Sequence, residues 1–141
     1  MIKKELGKLL DEYLSDEGLS WVVGFLIYCN SIDDIIDGDK TDSEFIMKTF
    51  GLALDIYSSP FYCRHCGILY PLIKATGNAY MDSVQYERTE EPWKKAQADV
   101  LRQFGNEVIC ACVEICGGYD KKREFSLKLR ELSYHSQHPK E

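Results

Sequence analysis

Apolar residues in this chain recur at alternating steps of three and four, and no segment of any length alternates with a period of two. That periodicity is helical: each step of three or four returns a side chain to the same face, whereas a half-buried strand returns every second residue. It excludes a sheet as the organising element and leaves the packing of helices on helices. A first amphipathic segment runs from about Lys3 to Leu14, with Leu6, Leu9, Leu10 and Tyr13 on one stripe. Ser15-Asp16-Glu17-Gly18 reads as its end, and Ser20 as the cap of a second helix carrying Val22, Phe25, Cys29, Ile32 and Ile36. Gly38 stands where a C-terminal glycine stop belongs.

Thr41 and Glu44 have the spacing of a capping box, opening a third helix through Phe45, Met47, Phe50, Leu54 and Tyr57. Ser58-Ser59-Pro60 closes it, and Pro60 starts a short turn carrying Phe61 to Cys66. A longer helix is expected from roughly Gly67 to Arg88, entered or interrupted at Pro71. Thr89, followed by Glu90 and Glu91, opens another that continues through Trp93, Val100, Leu101, Phe104, Val108 and Ile115 to Gly117-Gly118. Asp120 caps the last, to about Ser133. The expected architecture is all-α: one domain over residues 1–141, a bundle of about five to six helices, with 136–141 a flexible tail.

Bulk properties narrow the function classes. The chain's 141 residues can bury a core without disulfides or metal. A net charge of −6 disfavours non-specific binding to a nucleic-acid backbone. No run reaches the roughly 18–20 apolar residues of a membrane span: the longest, Trp21 to Cys29, stops at Asn30. The charged start, Met1-Ile2-Lys3-Lys4-Glu5, lacks the apolar core of a signal peptide, so a cytoplasmic location is expected. In a reducing compartment the six cysteines read as packing thiols. Cys63-Arg64-His65-Cys66 has no second ligand pair at zinc spacing.

The chemically distinctive segment is Asn30, Asp33, Asp34, Asp37, Asp39. Taking Cys29 as the centre of the buried stripe, Asp33 falls about 40° from it, Asp37 about 80°, Asn30 about 100° and Asp34 about 140°. Three carboxylates therefore crowd the last turns of one helix, where the helix dipole is already negative and like charges at i, i+4 repel. A bound Mg²⁺ or Mn²⁺ relieves that crowding, and such hard cations keep water positions that a phosphate can take. The rival reading is a solvated helix end beside Gly38 and Lys40. Asp82 or Asn78 of the long middle helix would complete a metal shell. Lys74, on the same polar face, or His65, in the preceding turn, would meet phosphate.

Asp33-Asp34-Ile35-Ile36-Asp37 resembles the aspartate-rich box of class I isoprenoid synthases, in which such a helix holds magnesium against a diphosphate. Those enzymes are about twice this length and carry a second metal box. Here Ser83 and Glu87 have the spacing of one, but Asn78 is out of phase, so that activity is not expected. Arg130 and His135 have the R-x₄-H spacing of the all-helical HEPN ribonucleases. Asp33-Asp34-x-x-Asp37-Gly38-Asp39-Lys40 together with Pro60-Phe61-Tyr62-x-x-His65 resembles a family of small helical proteins of tailed phages and prophages. This chain has Ile32 in place of that family's aromatic, Thr41 in place of its proline and Ser59 in place of its asparagine. The resemblance implies an origin and a helical fold, with no assigned activity, and ties His65 to the aspartates. The expected function is a metal-assisted site for a phosphate-containing small molecule such as a nucleotide. The alternative is an accessory protein that binds a host or phage protein through an acidic face. Exposed aromatics such as Trp93 add the expectation of a homodimer.

Overall fold

A computed structural model describes residues 2–137, with side chains from residue 4 to 135. Seven helices follow one another: α1 (Ile2–Tyr13), α2 (Asp16–Ile36), α3 (Ser43–Ser58), α4 (Pro60–Glu87), α5 (Pro92–Arg102), α6 (Gly105–Gly117) and α7 (Tyr119–Gln137). The described residues contain no strand, and the all-helical expectation holds. Of the tail expected at 136–141, the first two residues continue α7 and the rest lie outside the described residues.

Helices α2 and α6 are the centre of the bundle. Helix α6 packs against α1, α2, α4 and α7, and α2 against α1, α3, α4 and α6. Val108, Ile109, Cys112 and Val113 of α6 meet Trp21, Val22 and Phe25 of α2 in the core, joined by Leu10 of α1, Leu69 of α4 and Phe125 of α7. The indole of Trp21 lies near the rings of Phe25, Phe61 and Tyr62 and donates a 3.0 Å hydrogen bond to the carbonyl of Ile56, fastening α3 to α2. Cys110 and Cys112 are buried packing thiols. By length and composition alone α2 is apolar enough to cross a membrane, with a mean hydropathy of 1.4 over its best 18 residues.

Helix boundaries differ from the sequence expectation chiefly at four places; in addition α7 begins at Tyr119, so Asp120 lies in its first turn and does not cap it. Helix α2 begins five residues early, because Ser15 rather than Ser20 caps it, its Oγ accepting from the backbone N–H of Gly18. Gly18 is no breaker: a Cβ there would stand 2.9 Å from the Cys116 sulfur and 3.2 Å from Ser15 Oγ, so the glycine lets α2 lie against α6. Asp42, not Thr41, caps α3, accepting from Phe45 N–H at 3.1 Å. Helix α4 starts at Pro60, whose missing N–H costs nothing at a first helical position. It runs helical through Pro71 and leaves helical geometry only at His65 (φ −121°, ψ 16°).

The fourth difference adds a helix. The continuous apolar pattern from Trp93 to Ile115 is broken after Arg102, and the chain turns through Gln103 and Phe104 before α6 begins. The Thr76 hydroxyl of α4 donates to the carbonyl that Phe104 presents at this turn, at 3.3 Å. Thr89 does not cap α5; its hydroxyl donates to the Tyr86 carbonyl at the end of α4. Gly38 ends α2 as expected, at φ +80°, a left-handed conformation that glycine takes without strain.

Candidate functional site

Asp33 lies on the last full turn of α2, half-buried, and the phenol of Tyr80 on α4 donates to its Oδ1 at 2.7 Å. Burial and then the Asp33 carboxylate push the Tyr80 phenol well above the ordinary tyrosine value, so it stays a donor. The Arg102 guanidinium lies 5.7 Å from the centre of the Tyr80 ring, a cation–π position. Arg102 also donates through Nε to Ser83 Oγ at 3.2 Å and pairs with the Glu87 carboxylate. Ser83 is fully buried and its hydroxyl donates to the Tyr80 carbonyl at 2.6 Å. The break after Arg102 thus leaves its side chain on the last turn of α5, bridging to α4 beside the carboxylate of α2.

This cluster forms one wall of a cavity of about 590 Å³ between α2, α4 and the start of α6, with Tyr57 of α3 at its side. That size suits a small organic ligand. Four tyrosines line it, Tyr28, Tyr57, Tyr70 and Tyr80, together with apolar Phe25, Ile73 and Ile109. Burial raises the Tyr28 and Tyr57 phenols, and lifts the Cys29 thiol on the same wall to about 11, so this cysteine is protonated at neutral pH.

Four of the residues singled out in the sequence meet here: Asn30, Asp33, Lys74 and Asn78 all line the cavity. Lys74 is exposed at its edge and makes no ion pair among the described residues. Asn106 adds a third amide.

The other candidates fall elsewhere. Asp34 points to Lys40, 3.6 Å away, and its carbonyl accepts the N–H groups of Asp39 and Lys40. Asp37 is the exposed C-cap of α2, and Asp82 is exposed on α4 outside the cavity lining. His65, half-buried at the α4 irregularity, stands 5.1 Å from the Phe61 ring and also lies outside that lining. Two of the three crowded aspartates therefore have protein partners that offset their position, a phenol for Asp33 and an ammonium for Asp34. Among the described residues no group of three His, Cys, Asp or Glu side chains is placed to hold a metal ion.

The remaining motif residues lie outside the cavity lining. Arg130 pairs with Glu107 of α6, while His135 is exposed and edge-on to Tyr134. Cys63 and Cys66 are free and exposed at the start of α4.

Sequence reasoning marks Arg102 as a possible anion contact and Asn106 as part of a polar line, and both line the cavity; it missed Tyr80. Tyr70, Ile73, Gly77 and Tyr80 follow one another at steps of three, four and three, a helical stripe that a reading centred on acidic residues passes over. Compared with protein-family models, with curated proteins and with solved structures, the chain finds no match in any of the three.

Proposed function

We propose that this protein binds a phosphate-containing small molecule with a planar or apolar body, a nucleotide being the chemical type that fits. The observation that carries this reading is the tyrosine-lined cavity with, on its edge, a lysine that makes no ion pair among the described residues. Aromatic walls recognise a flat body by stacking and area burial, and a few fixed polar groups set its orientation. Lys74 supplies the charge for phosphate, and Asn30, Asn78 and Asn106 supply amides for polar ring or sugar atoms. Asp33, held by Tyr80, presents its remaining acceptor positions to a hydroxyl or amine.

A Mg²⁺ or Mn²⁺ ion accompanying the phosphate rests on the sequence motif Asp33, Asp34, Asp37 alone, since Tyr80 and Lys40 already partner Asp33 and Asp34. The likeness to helical proteins of tailed phages supports a phage origin and adds no chemistry. The role proposed is binding, with Cys29 held as a thiol on the cavity wall.

Isothermal titration with nucleoside monophosphates and the matching nucleosides, with and without millimolar Mg²⁺, tests the reading. Phosphate-dependent binding that falls at least tenfold in Lys74→Ala supports it. Equal or undetectable binding of both, or indifference to Lys74→Ala, removes it. Binding that needs Mg²⁺ and is lost in Asp34→Asn/Asp37→Asn supports the metal as well; metal-independent binding removes the ion and leaves the cavity.

A further inference from the structure

Helix α3 is an outer helix, packed chiefly on α2 and α4. Three sectors divide its surface. Thr49 and Ile56 are buried on the inner one. Glu44, Lys48 and Asp55 share a second, exposed sector. The third is apolar and in solvent: Ile46 (43 % exposed), Met47 (72 %), Phe50 (65 %), Leu54 (56 %) and Tyr57 (38 %). No charged residue of α3 interrupts it, because at 100° per residue the three charges fall together on the far side.

We infer that this face is where two copies of the chain associate, α3 against α3 about a two-fold axis. The first argument is area. Five side chains of roughly 150–200 Å², exposed to these fractions, present about 500 Å² of apolar surface per copy and about 1,000 Å² across a pair, the size at which a specific interface begins. A patch of that extent is at the upper end of what a monomer leaves in water.

The second argument is self-complementarity. A two-fold axis sets the helices antiparallel and requires a patch that matches its own reverse. Met47, Phe50, Leu54 and Tyr57 are spaced three, four and three, which reads the same in both directions. Antiparallel packing then sets Phe50 against Leu54 of the second copy, and Met47 against Tyr57, a thioether on an aromatic ring. An interface this small belongs to dimers that exchange with monomer.

Sedimentation velocity over about 5 to 500 µM protein reads it directly, a range that brackets weak association. The wild-type chain, 16.2 kDa as a monomer, is expected to move toward twice that mass as concentration rises. Phe50→Glu is expected to stay monomeric throughout, and Trp93→Glu, an exposed aromatic on α5, to behave as wild type. Met47→Glu, at the most exposed position of the stripe, is the second variant should Phe50→Glu lose helical circular dichroism. A wild-type chain that stays monomeric overturns the inference. So does a dimer that survives Phe50→Glu or Met47→Glu, or one dissolved by Trp93→Glu.

Discussion

Tyr80 and Asp33 are 47 residues apart in sequence and 2.7 Å apart in space, the phenol of α4 donating to the carboxylate of α2. This bond joins the two longest helices at the cavity wall, and it is the compensation that a carboxylate near a helix C-terminus needs. Tyr80→Phe deletes the donor and leaves the half-buried Asp33 unpaired on that side. A loss of about 1–3 kcal/mol is expected in urea unfolding. Wild-type stability in the variant would show that water serves Asp33 equally well and that the bond is incidental.

The buried phenols set an alkaline limit. Tyr28, Tyr57, Tyr62 and Tyr80 are all raised above the ordinary tyrosine value, burial being the first cause for each. Below pH 10 folded and unfolded chains both keep these protons, so stability does not respond. Above it the unfolded chain releases phenolic protons that the folded chain retains, so stability falls as pH climbs toward the folded values. Phenolate absorbance should therefore show at least these four of the nine tyrosines titrating late, and denaturation midpoints should drop from pH 10 upward. Nine tyrosines titrating together at the free value would contradict the packing.

Thiol chemistry separates the six cysteines by place. Cys63 and Cys66 are exposed, whereas Cys110 and Cys112 are buried and burial lifts the Cys112 thiol to about 12. A disulfide reagent at pH 8 should modify two thiols quickly in the native protein and all six after denaturation. Rapid native modification of five or more would reach Cys110 or Cys112 and mean that α6 is not in the core.

Two glycines of α2 should respond to alanine with opposite signs. At Gly18 a methyl group meets the Cys116 sulfur at 2.9 Å, and at Gly24 it meets nothing within 4 Å. Gly24→Ala gains helix propensity and should stabilise by roughly 0.5–1 kcal/mol. Gly18→Ala forces α2 and α6 apart and should cost about 1–3 kcal/mol, reduced when Cys116→Ala is added. Thermal unfolding of the two single variants and the double variant measures each sign. Equal effects at both positions would deny the close α2–α6 approach.

How much of this was legible beforehand depended on how local the cause was. Helical periodicity and the Gly38 stop are written within a few residues, and both hold. Gly18 looked like a breaker because its reason is the sulfur of Cys116, about a hundred positions away. The turn at Gln103 and Phe104 carries no proline and interrupts an unbroken apolar pattern; its stabilising partner is Thr76, on another helix. The site divided in the same way. Asn30, Asp33, Lys74 and Asn78 were visible as polar groups on two helix faces, and packing brings them to one cavity. Asp34 shares the motif with Asp33 but sits on another face of the helix, and Asp37 is the exposed cap one turn further on, so proximity in sequence did not bring them into the cavity lining. Tyr80 and Arg102 acquire their role only from tertiary pairing.

Tyr57 stands in two places at once: it lines the cavity and closes the outer stripe of α3, its ring edge-on to Tyr62 at 5.2 Å. A side chain with one edge inward and one outward cannot be moved for one neighbour alone. A ligand that turned it inside would change what it presents outside, and the free energy of such a coupling would be the same read in either direction. Occupancy of the cavity would then depend on how much of the protein itself is present, so that dilution acts on the chain as a signal.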